Sequence, residues 1–274
     1  MIKFQNSTGD FSIYVCPTCK GALRLNDEAL SCPICQVIYP ITEGIPDFIL
    51  EDLTRSSHPV LRGVKNIDLL AWIYETKLWY PLVLNLYGGL GAPSLKDLVR
   101  IIVKMVDIDK GIILDVACGP GTLGRRFASP SKVVYGIDIS LGMLHQGVAY
   151  VKKSQIPNVN FARAKAEAIP FPNDLFDAAL CGGALHLFSD TVSTLREIGR
   201  TLKEGAPLAV MTFIAGKKGV LRFPRIRKHV QQEHGVHIFE IPELEQHLTE
   251  AGFENFQPRV YGSILVFSVR KRRV

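Results

Sequence analysis

The chain has 274 residues, is 47% hydrophobic and 21% charged, and carries a formal net charge of +6 with a pI near 9.0. That balance fits an ordinary soluble globular protein with a sizeable core and one or two domains. No unbroken apolar run of about 18 residues occurs, so a membrane span is not expected. The opening MIKFQNSTGDFSIY lacks a signal peptide's apolar core, and the chain reads as cytoplasmic.

The basic excess concentrates in LRFPRIRKH (221–229) and in RKRR (270–273). Patches of this kind hold phosphate backbones or anionic lipid surfaces, which leaves RNA and peripheral membrane contact open as partners. The plainer reading, a solvated face and a frayed tail, stands beside it.

The first element in chain order is a cysteine unit over residues 11–49. Cys16 and Cys19 in CPTC are answered, after twelve intervening residues, by Cys32 and Cys35 in CPIC. Two tight turns with two thiolates each supply a closed tetrahedral site, so the spacing predicts a structural Zn2+ ion rather than disulfides. The stretch between the knuckles has room for a strand, a turn at Asn26-Asp27 and a returning strand. QVIYPITEGIPDFI follows as a further strand-like run, ended by Gly44 and Pro46.

A polar linker, EDLTRSSHP, leads into IDLLAWIYETKLWYPLVLNLYGGLG (67–91), where Trp72, Tyr74, Trp79, Tyr80 and Tyr87 stand among leucines. Pro81 suits the first turn of a helix and Gly88-Gly89 its end. These aromatic residues suit either a core or a substrate pocket. SLKDLVRIIVKMVDI (94–108) predicts a helix capped by Ser94.

From residue 111 apolar strands alternate with helical patterns: GIILDVA, VVYGIDI, VNFARA, FDAALCG and APLAVMTFIA are the strands. Such alternation predicts a mostly parallel sheet with helices on both faces, and FQPRVYGS with ILVFSVRK adds a C-terminal antiparallel hairpin. The expected organisation is a zinc ribbon at 1–50, a linker and aromatic helical segment at 51–92, and a cofactor-binding α/β domain at 93–274.

The first of these strands runs into ILDVACGPGTLGRRF (113–127), where Gly119, Gly121 and Gly124 satisfy G-x-G-x-x-G. Glycines there let backbone N–H groups approach a ligand. Asp138 ends the second strand seventeen residues after Gly121 and suits the two hydroxyls of a ribose. A dinucleotide and S-adenosylmethionine both fit that much. Asp115 separates them: a carboxylate beside the loop would repel a pyrophosphate but suits an ammonium and the field of a sulfonium.

ILDVACGPG, VYGIDIS, AKAEAIPFPNDLFDAALCGGALHLFSD and LREIGRTLKEGAPLAVMTF, in that order, resemble the motifs of class I S-adenosylmethionine-dependent methyltransferases of the ubiquinone/menaquinone-biosynthesis type. The resemblance covers roughly residues 95–270 and implies a Rossmann-like sheet. It also implies that Asp115, Ala117, Gly119 and Gly121 bind the methionine and ribose side and that Asp138 holds the ribose. Ile139 and Met143 would flank adenine, Ala166 and Glu167 would edge it, and Cys181 would lie beneath the sulfonium. Where the family commonly has an acid to receive the adenine amino group, this chain has Lys165, which cannot accept a hydrogen bond.

His186, just beyond the fourth strand, is the candidate base for an acceptor that must lose a proton. His229, His234 and His237 fall in a segment that reads as a cap over the acceptor pocket, and Cys118 as a small filler of the glycine loop. The expected acceptor is a small aromatic, quinone-like or lipid-like molecule. Methylation of a guanine in rRNA is a second reading. A third, drawn from the ribbon's likeness to zinc-ribbon proteins that activate methyltransferases, is a non-catalytic partner subunit.

Overall fold

In the computed structural model the described residues are 11–63, 76 and 78–273; Trp72 and Tyr74, in the segment read as aromatic and helical, lie outside them. The cysteine unit folds as four short strands paired in sequence order: β1 (Arg24–Asn26), β2 (Ala29–Ser31), β3 (Ile38–Thr42) and β4 (Ile45–Pro46). The β1–β2 turn falls at Asp27 (φ 40°), as its turn chemistry predicts. Gly44 (φ 81°) turns the chain back, but Pro46 does not end the run: it pairs with Ile41 in β4. A proline is tolerated in so short an edge strand, because no ladder bond is asked of its missing N–H.

The large sheet holds β5 (Gly111–Val116), β6 (Lys132–Asp138), β7 (Val159–Arg163), β8 (Ala178–Gly182), β9 (Pro207–Phe213), β10 (Phe253–Tyr261) and β11 (Ile264–Lys271). Its order is β10-β11-β9-β8-β5-β6-β7. β5 to β9 run parallel, while β11 inserts antiparallel between β9 and β10. Every residue of β9 is buried, as expected of a strand covered on both faces. The order reverses between β5 and β8, which opens a crevice at their carboxyl ends.

Helices Thr191–Thr201 and Ile241–Glu250 cover one face of the sheet through Leu195, Ile198, Leu244 and Leu248. Helices Trp79–Gly88 and Leu95–Val106 cover the other through Leu84, Leu98, Ile102 and Val106. Ser94 caps the second of these by accepting from the Asp97 N–H at 3.2 Å. The first begins at Trp79, a residue or two before the expected start at Pro81, and ends against Gly89 (φ 79°).

The ribbon is not a separate bead. Tyr14, Leu30, Tyr39 and Phe48 share one apolar core with Tyr135, Phe171 and Phe176 of the sheet layer. The Phe48 N–H donates to the Arg163 carbonyl at 2.8 Å, and Asp47 pairs in parallel with Arg163, so the chain leaving β4 extends the β7 edge. The Arg163 guanidinium meets Asp47 Oδ2 at 2.9 Å, and Lys20 meets Glu197 Oε1 at 2.7 Å. Covering an open edge in this way removes a template for unwanted strand pairing.

Candidate active site and zinc site

Each cysteine knuckle is a one-turn hook. The Lys20 N–H donates to the Cys16 carbonyl at 2.8 Å and the Gln36 N–H to the Cys32 carbonyl at 2.9 Å; both closing residues have φ 58°. The four Sγ atoms lie within 4.8 Å of one another, with Cys19–Cys32 at 3.5 Å and Cys16–Cys35 at 3.9 Å. Tetrahedral bonds of about 2.3 Å require sulfurs about 3.8 Å apart, so the set fits one structural zinc ion. Burial opposes ionisation of Cys16, yet the Tyr39 hydroxyl and neighbouring backbone N–H groups bring it down to about 6, ready to ligate as thiolate. Among the described residues this is the single cluster with metal-ligand geometry, and His229 and His237 belong to no second one.

The principal pocket opens where the sheet order reverses, and its floor is the turn after β5. Ala117 (φ 50°), Gly119 (φ 54°) and Gly121 (φ 72°) all take left-handed backbone. A Cβ at Gly121 would come within 2.9 Å of the Phe161 ring, whereas one at Gly119 would meet nothing within 4 Å. Gly119 is therefore required for its backbone angle and faces open space, which is what close approach of a ligand demands.

Asp115 is 1% exposed and lines this pocket. Its Oδ2 accepts the Gly124 N–H at 2.8 Å, while Oδ1 is buried without a partner among the described residues. Burial, with a smaller contribution from Asp138, raises its carboxyl to about 7 against the Gly124 hydrogen bond. A buried, half-satisfied carboxylate is costly unless a cationic group completes it, and the ammonium of a methionine moiety has the charge and donors to do so.

Asp138 stands across the loop. It accepts the Gly119 N–H at 2.8 Å and the Ser140 N–H at 2.9 Å, which fix its orientation beside the glycine turn. Ile139 and Met143 line the wall beyond it, and Ala164, Ala166 and Glu167 line the facing edge. Lys165 is drawn into an ion pair with Glu51, from the segment after the ribbon, and does not line the pocket.

Two expected site residues are turned elsewhere. Cys181 is fully buried and absent from the pocket wall, which is built instead by Gly182, Gly183 and Ala184. Strand alternation sends its side chain into the core with Val210 and Leu185, where burial and the nearby Asp115 charge push the thiol up to about 12. His186 is likewise buried and does not line the pocket. Its Nδ1 lies 3.3 Å from the Thr212 hydroxyl, its ring packs on Phe213 at 4.7 Å, and its carbonyl accepts the His237 N–H at 2.7 Å. Burial lowers its pKa to about 3, too weak a base for the role the sequence suggests.

The other end of the pocket was legible only in part, through the aromatic segment. Tyr80, Leu95, Leu98, Val99 and Ile102 from the two helices of one face line it, with Met211, Leu187 and Phe188 opposite. Val60 and Leu61 close it, with His58 beside them. The available signal was the aromatic residue Tyr80; the helical stripe of 95–106 reads equally well as core.

This sheet order, the glycine turn and the two acids are those of the S-adenosylmethionine-dependent methyltransferase fold, preceded here by a ribbon whose four cysteines fit a structural zinc ion. Residues 113–205 match the methyltransferase domain family, and residues 12–44 match the Trm112p-like protein family. An uncharacterized chloroplastic methyltransferase of Arabidopsis thaliana is 24% identical over 94% of this chain and 78% of its own. Demethylmenaquinone methyltransferase of Listeria monocytogenes is 35% identical over 39% of this chain. An uncharacterized methyltransferase of Bacillus subtilis is 30% identical over 40%. The matched regions span less than half of those two bacterial relatives, 47% and 43% respectively. Among solved structures, a phosphoethanolamine N-methyltransferase of Haemonchus contortus in complex with S-adenosyl-L-methionine aligns with a TM-score of 0.62 at 16% identity, over 86% of this chain and 63% of that one. Among the described residues no helix is long and apolar enough to cross a membrane.

Proposed function

We propose that the protein transfers a methyl group from S-adenosylmethionine to a small apolar acceptor of aromatic, quinone-like or lipid-like character. One observation carries the choice of acceptor: the pocket that starts at Asp115 and Asp138 continues into a chamber walled by Tyr80, Leu95, Leu98, Val99 and Ile102. Such walls favour burial of an apolar body and offer few groups to read a nucleobase edge. The partial likeness to demethylmenaquinone methyltransferases supports the same class.

Bound there, S-adenosylmethionine supplies an electrophilic methyl group on a sulfonium. The chain's own contribution is positional. Asp115 anchors the ammonium, Asp138 the ribose, and the Gly119 and Gly121 turn lets the backbone close on the ligand. Ile139, Met143, Ala166 and Glu167 enclose the adenine. The apolar chamber holds the acceptor against the methyl group and excludes water, and proximity of this kind accounts for most of the acceleration a displacement needs. No proton is routed through His186.

The test is to incubate the zinc-loaded protein with methyl-labelled cofactor and fractionated cell extract. Label in organic-soluble material supports the reading; label in RNA or protein alone overturns it.

A further inference from the structure

Beside the acceptor chamber lies a surface that the methyl-transfer reading leaves unused. On helix Trp79–Gly88 the buried side is Leu84 and Gly88, while Leu78, Leu82 and Leu86 recur every fourth residue on the outside. With Leu90 just past the helix, these four leucines are between 44% and 94% exposed. A single exposed leucine needs no explanation, but a stripe on one helix does.

The neighbouring segment supplies the charge. Residues 217–228, KKGVLRFPRIRK, hold six cations and no acid. Lys217, Lys218, Arg222, Arg225 and Lys228 are exposed, and Phe223 and Ile226 are exposed among them. The two parts abut. A Cβ at Gly89 would sit 3.1 Å from the Lys218 Cβ, and one at Gly219 would run into the Tyr87 and Leu86 carbonyls. Both parts also border the chamber: Tyr80 lines it from the leucine helix, and the turn Pro59–Arg62, with Leu61 in the chamber wall, packs on helix Pro224–His234.

We propose that this face docks on an anionic lipid bilayer, and that the apolar acceptor reaches the chamber from it. Six cations without an acid complement anionic headgroups, and the leucines beside them, with Phe223 and Ile226 among them, insert at the boundary of headgroup and acyl chain. A nucleic-acid surface would also use the cations but gains nothing from exposed leucines, which cannot stack on bases. The docking itself is independent of the reaction; only the delivery of the acceptor rests on the proposed function.

The experiment uses the full zinc-loaded chain, without cofactor or acceptor, sedimented with vesicles of phosphatidylcholine or of phosphatidylcholine with phosphatidylglycerol. The expected result is strong partition to the anionic vesicles and little to the neutral ones. Arg225→Glu with Lys228→Glu lowers partition by about tenfold or more, since each cation near an anionic surface contributes about fivefold. Leu82→Glu with Leu86→Glu lowers it as much or more and persists when salt is raised. Both double variants keep wild-type affinity for S-adenosylmethionine by calorimetry, which shows that they are folded. Equal partition to both vesicle types overturns the proposal, as do variants that partition like wild type. Binding to unmodified rRNA without binding to vesicles assigns the face to RNA and overturns it too. Because the vesicle assay involves no methyl transfer, its failure is distinct from failure of the labelling experiment.

Discussion

Asp115 carries the sharpest chemistry in the molecule. With Oδ2 held by Gly124 and Oδ1 without a partner among the described residues, its carboxyl is raised to about 7 by burial. An acid raised in the native state stabilises the fold fully below the unfolded carboxyl value of about 3.9, and that contribution is lost as pH rises through about 7. A cationic ligand reverses the preference, because it binds the carboxylate. Affinity for S-adenosylmethionine is therefore expected to climb as pH rises toward about 7, by up to tenfold per unit, and then to level. Calorimetry in buffers of different ionisation enthalpy should show proton release below that point. Asp115→Asn should remove the slope and weaken binding about 30-fold or more, since a charge-assisted partner is lost from a buried site. A slope that survives the substitution would take Asp115 out of the ammonium site. His186 gives the opposite expectation. Truncation to alanine removes packing against Phe213 and should cost about 2–4 kcal/mol in thermal unfolding. Turnover per folded molecule should be unaltered, and a selective loss of kcat in folded protein would return His186 to the mechanism.

At the scale of elements, the chain leaving β4 does more than connect. Asp47 grips the Arg163 guanidinium at 2.9 Å, and the Arg163 Nε donates to the Ile139 carbonyl at 2.9 Å. Ile49 and Leu53 pack against the Ile139 side chain, and Ile45 joins Cys118, Leu144 and Phe161 behind the glycine turn. The segment after the ribbon thus buttresses the pocket wall at Ile139 from behind. Asp47→Ala should weaken cofactor affinity by about five- to tenfold, the scale of one partly buried charged hydrogen bond, while zinc content by metal analysis stays at one per chain. Unchanged affinity would make the pair a simple surface staple. Little of this was legible beforehand. The β5–β9 alternation and the glycine turn are written in local patterns of period two and in residues that tolerate positive φ. The Asp47–Arg163 contact joins residues 116 positions apart, and no local pattern encodes it. The burial of Cys181 and His186 was not legible for a related reason. The motif locates the end of β8 and the turn after it, but which way a side chain points there is set by pairing and packing.

At the scale of the whole molecule, ribbon and sheet share one apolar core, which runs from Tyr14 and Phe48 in the ribbon to Tyr135, Phe171 and Phe176 in the sheet layer. Ring contacts are continuous across the boundary, with Tyr14–Phe171 at 5.0 Å and Tyr14–Phe48 at 5.4 Å. The ion pair of Lys20 and Glu197 is tied further to Arg200, and although burial raises a carboxyl, these two cations hold Glu197 below its usual range. The four cysteines advertised a zinc site, but not whether the unit hung free or was built in. A free ribbon of this size could not fold on hydrophobic burial alone and would unfold separately once its metal was removed. A ribbon sharing the enzyme's core should instead transmit the loss. Thermal unfolding of the zinc-loaded chain is expected to be one cooperative transition, and Cys32→Ser or strong chelation should lower its midpoint by several degrees rather than split it. Cofactor affinity should fall in step, because Asp47, Ile49 and Glu51 lead from the ribbon to the pocket wall at Ile139. Two resolved transitions, with the upper one unmoved by chelation and cofactor binding intact, would mean that ribbon and sheet fold independently despite the rings packed between them.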